Sequence, residues 1–132
     1  MDAERKEITL YIENAREMLE VAQNNLANSF YSSSVNRAYY AIFYAANAVL
    51  ATKGLARNKH SAVMSVFRQY FVKTGIFDAE LSKIYGDVIE DRNEGDYELD
   101  VSITLEEIKA DLEGAKRFVE EVEKWLKQEK WL

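Results

Sequence analysis

The sequence predicts an all-α fold, an antiparallel up-and-down bundle of four to five helices. Two observations carry the prediction. First, apolar residues recur at helical spacing in five stretches separated by cap and breaker residues. Second, the stretch 32–50, SSSVNRAYYAIFYAANAVL, carries a single charge, Arg37, and is apolar or aromatic on two sides. Val35, Ala38, Tyr39, Ile42, Ala46, Val49 and Leu50 form one stripe; Asn36, Tyr40, Phe43, Tyr44 and Asn47 form another. A helix of this kind cannot lie on a surface with its back in water, so it is the central helix of the bundle. One stripe faces the core. The other faces a ligand cleft, a subunit partner or more core. Three Tyr and two Asn suit plain core poorly, because each buried hydroxyl and amide needs a partner.

The elements follow in order. The first helix spans about 2–27 on Ile8, Ile12, Ala15, Leu19, Ala22 and Leu26. Ser32, Ser33 and Ser34 are N-cap candidates for the central helix, which stops near Thr52 with Gly54 as its C′ residue. Asn58 is placed to cap a third helix over about 59–73, with His60, Val63, Met64, Phe67, Tyr70 and Phe71 as its periodic positions. Asp78 is placed to cap a fourth, carrying Leu81, Ile84, Tyr85, Val88 and Ile89, reaching Arg92 and Asn93 and ended by Gly95. Residues 96–103, DYELDVSI, fit no helix and are expected to form an ordered loop. Thr104 and Glu107 have capping-box spacing for a last helix running to about Lys130. Gly114 inside it costs about 1 kcal/mol against Ala, which points to a close backbone approach.

Residues 1–132 are expected to form one domain, and 48% hydrophobic content supplies its core. The absence of Cys excludes disulfides and thiolate chemistry and fits a reducing, cytoplasmic setting. The start, MDAERKEITL, is acidic and polar where a signal peptide needs an apolar segment. Arg37, Asn36, Asn47 and three Tyr interrupt the central helix too often for a membrane span. The net charge of −6 argues against non-specific nucleic-acid binding by the whole surface. Its distribution is uneven. Residues 21–77 hold no Asp or Glu but six positive charges, Arg37, Lys53, Arg57, Lys59, Arg68 and Lys73, while the remainder sums to −12. The basic segment either presents a phosphate-attracting face or docks on the acidic helices.

Few residues can carry chemistry. One His and no Cys cannot build a zinc cage, and neither a metal nor a cofactor is expected. Glu90, Asp91, Glu94 and Asp96 offer carboxylates, but their spacing matches no calcium loop, and such a run is ordinarily a solvated helix end. No Gly-rich phosphate loop is present. His60, in the first turn of the third helix, is either a capping or packing residue or a proton donor and phosphate ligand; the helix dipole there favours its neutral form. Arg92, among four carboxylates, is either a helix-end ion pair or a planar fork for a phosphate beside Asn93 and Tyr97. In the phosphate reading, Arg37, Tyr40, Tyr44, Arg57, Lys59 and Arg92 are the candidate nucleotide- or RNA-binding residues.

Three stretches occur in order: RAYYAIFYAANAVL from Arg37, KHSAV from Lys59 and RNEGDY from Arg92. Together they resemble the HEPN domain, the nucleotide-binding family of higher eukaryotes and prokaryotes, and within it the small stand-alone prokaryotic branch. The resemblance covers roughly residues 5 to 127. It implies a four-to-five-helix bundle that usually forms a homodimer, and a toxin–antitoxin setting in which a small nucleotidyltransferase encoded nearby is the antitoxin. It also implies RNA as substrate, since many members are metal-independent endoribonucleases whose motif is Arg, four to six residues, then His. Arg92 matches the Arg and Asn93 the polar residue that often follows. The His would fall at Tyr97, Glu98 or Leu99, and none is His. Tyrosine, with a pKa near 10, is a poor base near neutrality. Three alternatives follow: Tyr97 works as an acid or only as a phosphate ligand, His60 reaches the Arg92 site in space, or the protein keeps the fold and binds without cleaving. In related toxins the partner transferase adds AMP to a Tyr near the motif, which makes Tyr97 a candidate for modification. The alternative function is a non-catalytic dimeric module that binds a partner nucleotidyltransferase.

Overall fold

The computed structural model describes residues 2–97 and 103–132, with side chains undescribed over 94–97. It contains α1 (Asp2–Ala27), α2 (Tyr31–Ala51), α3 (His60–Phe67), α4 (Ala79–Tyr97) and α5 (Leu105–Gln128). A π-helical turn, Arg68–Val72, extends α3. Among the described residues there is no strand.

The expected central helix is central. Fourteen of the 21 residues of α2 are buried, and α2 packs against α1, α3, α4 and α5. Its six buried alanines, at 38, 41, 45, 46, 48 and 51, keep one side of the contact thin and let neighbouring helices come close. The bulk comes from the partners: Ile8, Phe67, Phe71, Tyr85, Phe118 and Leu126 are fully enclosed. The wholly apolar ones each contribute about 1.5–3 kcal/mol by leaving water.

Helix ends show where local signals prevail. Gly54, at φ +69°, closes α2: its N–H bonds the Ala51 carbonyl at 3.1 Å, and the Leu55 N–H bonds that of Leu50 at 2.9 Å. Thr104 and Glu107 form the expected capping box on α5. Asp78 accepts from the Glu80 N–H at 2.9 Å at the start of α4.

Elsewhere tertiary contacts override them. Phe30, not a serine, precedes α2 and makes no side-chain cap bond. Ser34 Oγ instead donates to the Ala22 carbonyl at 2.8 Å and ties α2 to α1. Lys59, not Asn58, occupies the cap position of α3. Helix α4 does not end at Gly95 but continues to Tyr97, so Asp96 and Tyr97 are helical rather than loop. The rest of the expected loop, to 102, lies outside the described residues. Gly114 meets its close approach, since a Cβ there would lie 3.0 Å from Ile84 Cγ2 of α4. The widened turn after α3 is marked by the Lys73 N–H bonding the Arg68 carbonyl, five residues back. It keeps Phe71 buried and leaves Tyr70, expected on the apolar stripe, 41% exposed. Among the described residues no helix is long and apolar enough to cross a membrane.

Candidate functional site

The buried face of α4 is the stripe Leu81, Tyr85 and Val88. One helical turn further, on the same stripe, the residue is Arg92. A guanidinium therefore stands where the pattern calls for an apolar side chain, and it must be satisfied by what α2 presents. Arg92 Nε donates to Asn36 Oδ1 at 2.9 Å. Its guanidinium carbon lies 4.6 Å from the centre of the Tyr39 ring and 5.7 Å from that of Tyr40. A cation over aromatic faces in a half-buried site is favourable by about 0.5–2 kcal/mol. The second stripe of α2 is thus the seat of an arginine.

The same rings hold the chain's one histidine. His60, the first residue of α3, has its ring centre 4.3 Å from that of Phe43 and 5.5 Å from those of Tyr39 and Tyr40. Burial lowers its pKa below the usual imidazole value, and the nearby Arg92 charge lowers it further. Both effects favour the neutral imidazole, the form that can accept a proton. Tyr39 is the reverse case. Its hydroxyl is buried without a hydrogen-bond partner, and burial pushes its pKa up to about 12 despite Arg92. It is a platform and not a base.

The remaining sequence candidates are distributed unevenly. Tyr40 belongs to the cluster. Tyr44 continues from it, 6.1 Å from Tyr40 and 6.5 Å from Tyr11 of α1 between ring centres. Arg37 points away along α1, where its Nη1 is 3.9 Å from Met18 Sδ. Arg57 folds back on its own loop, donating to the Leu55 and Ala56 carbonyls at 2.8 and 3.1 Å. That loop is pinned by Asn47, which bonds both the N–H and the carbonyl of Arg57. Lys59 adjoins His60 but is exposed, as is Asn93. Tyr97 is the last residue of α4, and its side chain lies outside the described residues. Three residues of the cluster were absent from the sequence candidates, Asn36, Tyr39 and Phe43. Asn36 could have been found, because it lies on the same stripe as Tyr40; Tyr39 could not be told from core.

Residues 8–125 match the sequence pattern of the HEPN domain. The chain belongs to the HEPN family. A UPF0332 protein of Thermotoga maritima is 40% identical to this HEPN protein over 124 residues, 94% of each chain. Two proteins of Methanocaldococcus jannaschii are similar to it as well. "Putative toxin MJ0142" is 33% identical, covering 92% of this chain and 83% of its own. "Putative toxin MJ0605" is 39% identical, covering 94% and 92%. In this HEPN protein the histidine that shares the Tyr39 and Tyr40 rings with Arg92 comes from the start of α3, not from the residues that follow Arg92.

Proposed function

We propose that this chain is a toxin-type HEPN protein that binds RNA phosphate through Arg92 and cleaves the strand with His60 as the proton-handling group. The observation that carries the reading is the meeting of His60 and Arg92 on the Tyr39 and Tyr40 rings. It supplies from two helices the Arg and His pair that the family motif places on one. The toxin names of the two Methanocaldococcus relatives support the same setting.

The chemistry needs few parts. A ribose 2′-hydroxyl loses its proton to the neutral His60 imidazole. The 2′-oxygen attacks the adjacent phosphorus, and the bond to the departing 5′-oxygen breaks. The products are a 2′,3′-cyclic phosphate and a 5′-hydroxyl, which takes a proton from the imidazolium. Arg92 offsets the charge that builds on the phosphoryl oxygens. Because the nucleophile belongs to the substrate, no metal is required. A second copy of the chain, bringing its own Arg92 across a two-fold axis, completes the clamp, and Asn93 adds a donor at the rim. A nucleotidyltransferase partner fits this reading as the antitoxin, with Tyr97 as the residue it would modify.

The test is RNA cleavage in EDTA by wild type, Arg92→Ala and His60→Gln. Cleavage by wild type, lost in both variants, is expected. Cleavage by wild type that His60→Gln leaves unchanged removes His60 from the chemistry. No cleavage by wild type, with RNA binding lost in Arg92→Ala, replaces the reading with binding alone.

A further inference from the structure

The rings beside Arg92 continue into a row. Tyr40 and Tyr44 lie one turn apart on the same stripe of α2, and Tyr11 joins them from α1, which packs alongside. Ring centres are 6.1 Å apart from Tyr40 to Tyr44 and 6.5 Å apart from Tyr44 to Tyr11, with planes tilted by 37° and 31°. At that separation the rings are not stacked face on face. Tyr39 and Tyr85 seal their hydroxyls in the core. Tyr11, Tyr40 and Tyr44 are only half-buried, packed against the core on one side and open on another. A tyrosine so placed offers an apolar body and a wet polar tip.

The row is continuous with the candidate site. Tyr40, its first ring, lies 5.7 Å from the Arg92 guanidinium carbon and 5.5 Å from the His60 ring centre. Beyond Tyr11, its last ring, the surface of α1 dips into a hollow whose lining includes Lys6, Leu10 and Asn14. Leu10 is 51% exposed there. Lys6 offers a cation to a phosphate, and Asn14 an amide to a base edge. Burial, and then the charge of Glu7 in the same hollow, raise the Tyr11 pKa, so its hydroxyl stays a neutral donor.

The spacing of the row decides what fits it. Bases stacked along one strand of a duplex are about 3.4 Å apart. Steps of 6.1 and 6.5 Å are nearly twice that, so one base to each ring needs a strand whose bases are drawn apart. We propose that Tyr40, Tyr44 and Tyr11 form a platform for successive unstacked bases of single-stranded RNA, leading away from the Arg92 site. The platform presupposes the RNA binding proposed above and narrows the substrate to a single strand, gripped by its bases as well as by its phosphate. Every base has a flat face, so the platform selects strandedness and length, not sequence. A duplex, whose bases already cover one another, is rejected.

The test is fluorescence anisotropy of the full chain with labelled single-stranded RNA of mixed sequence and increasing length, and with an RNA duplex. Both probes are 2′-O-methylated, so that they cannot be cleaved. Single-strand affinity should rise with length until the row is filled, and the duplex should bind more weakly. Tyr44→Leu and Tyr11→Leu remove a ring and keep apolar bulk; each should weaken single-strand binding by about tenfold. Tyr44→Phe, which keeps the ring, should recover most of it. Tyr11→Leu covers the case in which Tyr44→Leu misfolds. The platform is overturned if the folded Leu variants bind like wild type, or if the duplex binds as well as the single strand. It is equally overturned if the Leu variants turn a dimer into monomers in sedimentation and leave RNA affinity unchanged, since the rings are then a contact with a second copy. Failure of the RNA reading itself looks different: wild type then binds neither probe at any length, and the platform falls with it. Binding that needs Arg92 but ignores Tyr11 and Tyr44 removes the platform alone.

Discussion

Arg92 is held by Asn36: the guanidinium Nε donates to the amide oxygen at 2.9 Å, and this bond joins the last turns of α4 to the first turns of α2. With one N–H fixed and the guanidinium carbon 4.6 Å from the Tyr39 ring centre, the place of the fork is set before any ligand arrives. A preset donor loses less side-chain entropy on binding.

Replacing Arg92 by Ala should abolish RNA binding and lower stability by about 2–4 kcal/mol through loss of a charged hydrogen bond and the contacts with the Tyr39 and Tyr40 rings. Arg92→Lys keeps the charge without the planar fork and should recover stability better than binding. Filter binding at fixed salt and urea melts check both. A large drop in melting temperature with unchanged RNA affinity would give Arg92 a purely structural role.

His60→Gln should slow cleavage by about a hundredfold or more if the imidazole moves the proton. The pH dependence has a definite sign. The folded-state pKa is lowered, so the unfolded chain binds the proton more readily, and His60 makes stability rise with pH up to about 6.5. Urea denaturation of the His60→Gln variant should therefore show a shallower loss of stability than wild type as pH falls through that window. An unchanged slope contradicts the burial of His60.

Tyr39→Phe removes a buried hydroxyl that has no hydrogen-bond partner and keeps the ring under Arg92. Stability should be unchanged or higher by about 1 kcal/mol, because an unsatisfied group is lost and no bond is broken. RNA binding should persist. A loss above about 2 kcal/mol would mean that the hydroxyl is bonded in solution, as to an ordered water.

Gly114→Ala places a methyl 3.0 Å from Ile84 Cγ2. Overpacking of about 1–3 kcal/mol should outweigh the gain of about 1 kcal/mol in helix propensity. Ile84→Leu lacks that methyl, so the double variant should be more stable than the two single effects summed. Additivity in thermal melts would place the two residues apart.

The helices were legible because each carries its own periodic stripe and its own end signals. Helix α1 occupies the expected residues, Gly54 and Thr104 act as expected, and the small residue at 114 meets a neighbour as expected. These are local effects of backbone conformation and spacing. The expectations that failed involve a competing contact. Ser34 turned to the Ala22 carbonyl because a buried hydroxyl takes the nearest acceptor. Helix α4 passed Gly95 because glycine weakens a helix without stopping it.

By itself the sequence determined an all-α HEPN bundle built around α2, since periodicity and end signals are read over a few residues at a time. Only the tertiary structure decided which charged groups meet. It set Arg92 on Asn36 and Tyr39, brought His60 to the same rings, and turned Asp91 toward Asp111. Those meetings join residues from different helices, and they depend on the rotation and stagger with which the helices pack, which no single stretch of sequence encodes.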